Sequence, residues 1–206
     1  MGKPVIYGIT RSRAFRSLWA AEELGLDCEQ AQVNFADGSS RTPEFLAINP
    51  MGAVPALVDG ELKLFESLAI NLYLAKKHAD KGLWPATLED EARVFQWTLW
   101  VATEIEPSAS TILFHAALLP EDKRDAGLLA AAQKKVAKPL AVLDGHLAGR
   151  DYLLGASFTI ADLNVAAVMA WLQVARHDMS AWPNVVAWMA RCLKRPAVKT
   201  VNARAA

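Results

Sequence analysis

Three short stretches of the 206-residue chain carry groups able to hold a small polar ligand. The first runs Asn49-Pro50-Met51-Gly52-Ala53-Val54-Pro55-Ala56-Leu57, where two prolines and a glycine precede a strand signal. One reading is a plain turn feeding a strand. The other is a cis Val54–Pro55 bond held by a tight turn. That arrangement offers the Val54 N–H and C=O to an extended peptide-like ligand, as an added strand would. The second stretch, Glu66-Ser67, joins a strand directly to a helix start. Free N–H groups and the positive end of the helix dipole attract a carboxylate there, and Glu66 offers an anion to an ammonium. The pair suits a zwitterionic amino-acid head group, or Ser67 is simply a cap. The third, Thr10-Arg11-Ser12-Arg13, lies between the first strand and the first helix. A serine at this place either caps the helix or places its hydroxyl where negative charge is stabilised. Tyr7, near the end of the first strand, adds a further hydroxyl, although a strand tyrosine is more often core with its OH satisfied.

The elements that must position these groups follow from periodicity. Val5-Ile6-Tyr7 is a short strand signal ended by Gly8. Ala14, Leu18 and Ala21 share a helix face that Gly25 terminates. Glu29 to Phe35 reads as a second strand, and Asp37-Gly38-Ser39-Ser40 as a loop. Pro55 to Val58 and Leu62 to Phe65 flank Asp59-Gly60, a hairpin dipeptide. Ser67 can cap a helix whose Leu68, Leu72 and Ala75 share a side. From residue 88 onward the pattern is helical. Glu89 to Ala117 is one long helix bent at Pro107, and Asp122 to Leu147 is another, interrupted near Pro139. A third opens at Thr159-Ile160-Ala161-Asp162 with a capping box, and its apolar girdle puts it in the middle of a bundle. The last runs from Asn184 to Leu193. His78 to Asp90 reads as the linker.

Composition excludes several classes. Lys+Arg and Asp+Glu both total 22, and 53% of residues are hydrophobic. Neither half has the basic excess that drives binding to nucleic acid or an anionic membrane, so no nucleic-acid or membrane partner is expected. Cys28 and Cys192 are too far apart in sequence for a disulfide framework, and the four histidines are scattered, so no metal is expected. The apolar stretch Leu163 to Ala175 is too short to span a bilayer. Cys28 reads as a small buried hydrophobe, Arg16 as bonded within the fold, and Trp97 and Trp100 as packing residues that can also line a pocket. A cytoplasmic protein is expected.

Taken together, these segments resemble the cytosolic glutathione transferase family over essentially the whole chain. The resemblance is carried by Asn49 to Leu74 and by Phe158-Thr159-Ile160-Ala161-Asp162-Leu163. It implies an α/β plus all-α fold. A thioredoxin-like domain of β-α-β-α-β-β-α order would span residues 1–80, with a short second helix around Pro43 to Ile48. A linker at 81–88 and an all-helical domain at 89–206, contributing the hydrophobic substrate pocket, would follow. It further implies glutathione as cosubstrate, a homodimer and a role in detoxification. Residue by residue, Val54 (with Pro55 beside it) would pair with the cysteinyl part through its backbone. Glu66 and Ser67 would hold the γ-glutamyl head, and Arg41 the glycyl carboxylate. Ser40 takes the place of a histidine found in some classes.

Ser12, counted back from Gly25, matches the catalytic serine of theta-like and zeta-like members, whereas the phi-like serine falls on Arg11. The zeta Ser-Ser-Cys pattern is absent. No cysteine occupies this loop, against the omega-like and beta-like classes. Tyr7 and Thr10 stand behind Ser12 as alternative donors. The implied chemistry is thiolate activation. A free thiol has a pKa of about 8.5, and lowering it by ~2 units takes ~2.7 kcal/mol of anion stabilisation. A charge-assisted hydrogen bond and a helix N-terminus can supply this. The expected activity is attack of that thiolate on small hydrophobic electrophiles. A non-catalytic binding module of the same fold, or a glutathione-dependent peroxidase or dehalogenase, is the alternative.

Overall fold

The computed structural model describes residues 2–204. By internal contact the chain divides into two units, Met1–Trp84 with Lys194–Ala206, and Pro85–Leu193.

In the first unit, Val5–Tyr7 (β1), Glu29–Ala31 (β2), Ala56–Asp59 (β3) and Leu62–Phe65 (β4) form one sheet in the order β2-β1-β3-β4. β1 runs parallel to β2 and antiparallel to β3, and the Asp59-Gly60 turn returns β3 into β4. β2 is shorter than the run Glu29 to Phe35 suggests. The Val33 N–H turns back onto the Ala31 carbonyl, and Ser39 Oγ takes the Asn34 N–H at 2.7 Å. Ile6 and Leu57 face each other on one side of the sheet and are fully buried. Tyr7 and Ala56 lie on the other side, where they pack with Phe45 of the short helix Pro43–Leu46 (α2). Helix Ala14–Glu23 (α1) buries Ala14, Leu18 and Ala21 as their spacing requires, but Trp19 and Ala20 as well.

Helix Ser67–Lys77 (α3) buries Ile70, Asn71, Leu74 and Ala75 rather than the Leu68–Leu72 side. Its cap position is occupied by Glu66, and Ser67 is the first helical residue.

An additional helix, Pro196–Ala203, follows the one expected to be last. Pro196 supplies a preset φ at its start, and Val198 and Val201 are buried. Arg195 clamps Glu23 of α1 with two hydrogen bonds of 2.7 Å, and Arg204 pairs with Glu22. These ties place Lys194–Ala206 in the first unit, whereas 89–206 is expected as one helical domain.

The second unit is helical: Leu88–Trp100 (α4), Glu106–Leu113 (α5), Ala126–Leu147 (α6), Ile160–Val174 (α7) and Pro183–Leu193 (α8). The expected single helix from Glu89 to Ala117 is instead helical from Leu88 to Leu118, with wide i→i+5 turns at Val101–Ile105 and Phe114–Leu118 flanking α5. Pro107 follows the wide turn at Val101–Ile105, which takes up the hydrogen bond its missing N–H cannot make. α6 is capped by Asp125, which accepts the Leu128 N–H at 2.9 Å, and runs through Pro139 with that residue buried.

α7 is buried nearly all round. Its Asp162 closes the capping box with Thr159 and is fully buried. It accepts from Thr159 N at 2.9 Å, Thr159 Oγ1 at 3.1 Å, Leu153 N at 2.8 Å and Trp188 Nε1 at 2.9 Å. Burial pushes its carboxyl up, against these four bonds. Trp97 packs edge-on to Trp100 and against His146, so the packing reading holds for this pair. No helix among the described residues is long and apolar enough to cross a membrane.

Candidate active site

Strand register gathers the three stretches. Tyr7 is the cross-strand partner of Ala56, and Ala56 of Phe65. One step beyond each of these residues lie Gly8, Pro55 and Glu66, so all three segments leave the same end of the sheet. Their closeness depends on Gly8, which has φ +139°. A Cβ there would meet the Ala14 Cβ at 2.6 Å, the Val54 Cβ at 3.1 Å and Ser12 Oγ at 3.6 Å. The start of α1 and the Val54 loop therefore approach each other across a residue that has no side chain. Gln30 Nε2 holds the Gly8 carbonyl at 2.9 Å.

Ser12 Oγ donates to the Ile9 carbonyl at 2.7 Å and accepts the Ala14 N–H at 3.0 Å. The hydroxyl thus closes the turn into α1, although Arg13 is the formal cap residue. Thr10 is 8% exposed, and its hydroxyl oxygen is buried with no partner among the described residues. The Tyr7 ring lies against Phe45 with centroids 5.9 Å apart, as a core tyrosine would. Cys28 is half-buried rather than the buried hydrophobe expected, and what burial it has raises its thiol.

The Val54–Pro55 bond is cis. Neither the N–H nor the C=O of Val54 takes a hydrogen bond among the described residues. The preceding loop is pinned by Asn49, 2% exposed, whose Nδ2 donates to the Ala53 carbonyl at 2.6 Å while Oδ1 accepts the Met51 N–H at 3.1 Å. Arg41 is exposed and donates through Nη1 to the Met51 carbonyl at 3.3 Å. It lies over Gly52, where a Cβ would come within 2.7 Å of that Nη1 and 2.9 Å of the Ser40 carbonyl.

Glu66 has φ +70°, unusual for a residue with a side chain, and makes no side-chain cap for α3. Such backbone costs ~1–3 kcal/mol and is typical of ligand-holding sites. The first N–H groups of α3 have no carbonyl acceptor within their own helix. Ser67 is buried, its hydroxyl accepting from Arg16 Nη1 at 3.3 Å and its carbonyl from Ser17 Oγ at 3.4 Å. Ser12, Val54, Pro55, Glu66 and Ser67 therefore share one end of the sheet, with Arg41 on the adjoining loop.

Two contributors escape a motif-based reading. Asn49 is one; its signal is the Asx-turn chemistry of Asn-Pro. Arg16 was expected only to bond within the fold, and it bonds to a residue of this cluster. Its signal is that Arg16 and Ser17 interrupt the apolar run from Ala14 to Ala21.

The structure joins a four-stranded thioredoxin-like sheet, in sequence, to a helical unit. Family models for the N-terminal and C-terminal domains of glutathione S-transferase match residues 4–76 and 105–196. Glutathione S-transferase 3 of Zea mays is 39% identical over 208 residues, covering 96% of this chain and 93% of the relative. Glutathione transferase F2 of Populus trichocarpa superposes with a TM-score of 0.91 at 28% identity, covering 98% of each chain. The theta class glutathione S-transferase of Xanthomonas axonopodis pv. citri, solved with glutathione bound, gives 0.88 at 33% identity over 97% of each chain. The chain belongs to the glutathione S-transferase family.

Proposed function

We propose that this glutathione S-transferase binds glutathione along the end of its sheet and presents the thiolate to small hydrophobic electrophiles. In this reading the free N–H and C=O of Val54, beside the cis Pro55, pair with the cysteinyl residue. Glu66 and Ser67 take the γ-glutamyl head. Arg41 takes the glycyl carboxylate, and Ser12 donates to the sulfur at the start of α1. The observation that carries it is the Tyr7–Ala56–Phe65 register, which sends all three chemistry-bearing segments out of one sheet end. The helical unit supplies the apolar side chains for the electrophile. No metal takes part.

The same reading makes the working form a cytoplasmic homodimer. Met51, Leu62 and Phe65 in the first unit and Leu88 and Leu99 in the second leave large apolar side chains exposed. A net charge of zero does not oppose self-association.

Isothermal titration of glutathione across pH tests the thiolate claim. Binding is expected to release close to one proton near pH 7.5, and turnover of an activated chloronitroarene is expected to follow the ionised fraction. Binding without proton release overturns the reading. Sedimentation at micromolar concentration checks the dimer, and a 22.4 kDa particle counts against it.

A further inference from the structure

The carbonyl of Gly8, the residue after β1, is left over where the sheet runs out. Glu29 N–H donates to the Pro4 carbonyl at 2.9 Å and Gly8 N–H to the Ala31 carbonyl at 2.8 Å, extending the parallel β1–β2 ladder at its two ends. In such a ladder the next rung is the Val33 N–H on the Gly8 carbonyl. Val33 instead turns its N–H back onto the Ala31 carbonyl at 2.9 Å. A side chain supplies the missing donor: Gln30, half-buried on the edge strand β2, reaches the Gly8 carbonyl through Nε2 at 2.9 Å.

The same peptide is held at its other polar group. Ile9 N–H donates to the Val33 carbonyl at 3.1 Å, so the Gly8–Ile9 peptide is tied to the β2 segment twice. One bond further along, the Ile9 carbonyl receives both the Ser12 N–H at 3.1 Å and the Ser12 hydroxyl at 2.7 Å. The place of Ser12 Oγ is therefore set through Ile9. Gly8, at φ +139°, has no side chain to resist rotation of that peptide, and the Gln30 amide supplies the restraint. We infer that Gln30 is a positioning residue for thiolate activation, holding the Gly8–Ile9 peptide so that the Ser12 hydroxyl meets the bound sulfur. The groups assigned to the rest of glutathione, Val54, Glu66, Ser67 and Arg41, sit on other segments, so loss of Gln30 is read at the sulfur and not in the affinity. This rests on the reading of Ser12 as the donor.

The test follows ionisation of bound glutathione by ultraviolet difference titration, beside the pH dependence of kcat/KM with an activated chloronitroarene. Wild type, Gln30→Met, Ser12→Ala and the double variant are compared. Methionine keeps the length of the side chain and removes the donor. Gln30→Met is expected to raise the pKa of the bound thiol by about half a unit and to lower kcat/KM about threefold on the acid side, with the profiles converging at high pH. KM for glutathione stays within about twofold. An unshifted pKa overturns the inference, as does an equal loss at every pH, which means that Gln30 only supports the fold. In the Ser12→Ala background Gln30→Met is expected to add less than about 0.2 unit, and a full independent shift there overturns the claim that it acts through Ser12. If Ser12→Ala alone leaves the pKa of the bound thiol unchanged, the reading of Ser12 itself fails and the inference with it. Should Gln30→Met not fold, Gln30→Thr, a good strand former too short to reach the carbonyl, decides by the same readings.

Discussion

Replacing Ser12 by alanine separates the two duties its hydroxyl performs. The proton is given to the Ile9 carbonyl at 2.7 Å. Donation to a bound thiolate means giving up that bond, so only the difference counts. A hydrogen bond to a charged group contributes about 1.5–3 kcal/mol and a neutral one about 0.5–1.5. The net is about 1–1.5 kcal/mol, or roughly one pKa unit on the sulfur. Ser12→Ala is therefore expected to raise the pKa of bound glutathione by about one unit and to lower kcat/KM about tenfold on the acid side of the profile. The two profiles converge at high pH, where the thiol ionises without help. The accepting duty, toward the Ala14 N–H at 3.0 Å, contributes to the start of α1 instead and shows as a loss of ~0.5–2 kcal/mol in stability. The assay is the pH dependence of kcat/KM with an activated chloronitroarene, beside a direct spectroscopic titration of the bound thiol. If the Ser12→Ala profile superimposes on wild type while glutathione still binds, the hydroxyl donor lies elsewhere. Thr10→Val is the control arm. Its buried hydroxyl has no partner to lose, so the profile is expected to stay within about 0.3 unit.

Gly52→Ala forces a Cβ against the rigid Ser40 carbonyl at 2.9 Å and demands φ +59° of an alanine. Displacement of the Arg41 loop is expected to raise KM for glutathione about tenfold, at a strain of roughly 1–2 kcal/mol, with kcat less affected. Asp162→Ala orphans the buried N–H groups of Leu153, Thr159 and Trp188. At about 1–3 kcal/mol each, discounted for relaxation, the helical unit is expected to lose ~3–5 kcal/mol in urea unfolding followed by tryptophan fluorescence. Burial lowers the pKa of His177, against the opposing Asp178, and both ring nitrogens are buried without partners. Because the folded pKa lies below the unfolded one, the neutral ring favours the fold. Its contribution is complete above about pH 6.5 and is lost as pH falls below it. His177→Leu should flatten the melting temperature between pH 7 and 5.5, and an unchanged slope would count against the assignment.

What could be read from the chain divides along a physical line. The hairpin at Asp59-Gly60, the Thr159–Asp162 box and the cis Val54–Pro55 bond depend on residues close in sequence, and each is visible as local chemistry. The additional helix Pro196–Ala203 depends on distant partners. Glu22 and Glu23 of α1 hold it through Arg204 and Arg195. No window of sequence contains both members of those pairs. The burial of α3 on its Ile70–Leu74 side has the same origin, because the choice between two apolar faces of one helix is made by α1.

Arg16 extends this argument to the site. Ser12, Val54, Glu66 and Ser67 announce themselves through turn and cap chemistry, each within a few residues of a glycine, a proline or a helix start. Arg16 acts 51 residues away from its partner. Read alone, it is a cation that spoils the apolar girdle of α1. Only when α3 is docked does its guanidinium meet the Ser67 hydroxyl, so this break in the apolar run of α1 answers to a contact that no local stretch of sequence contains.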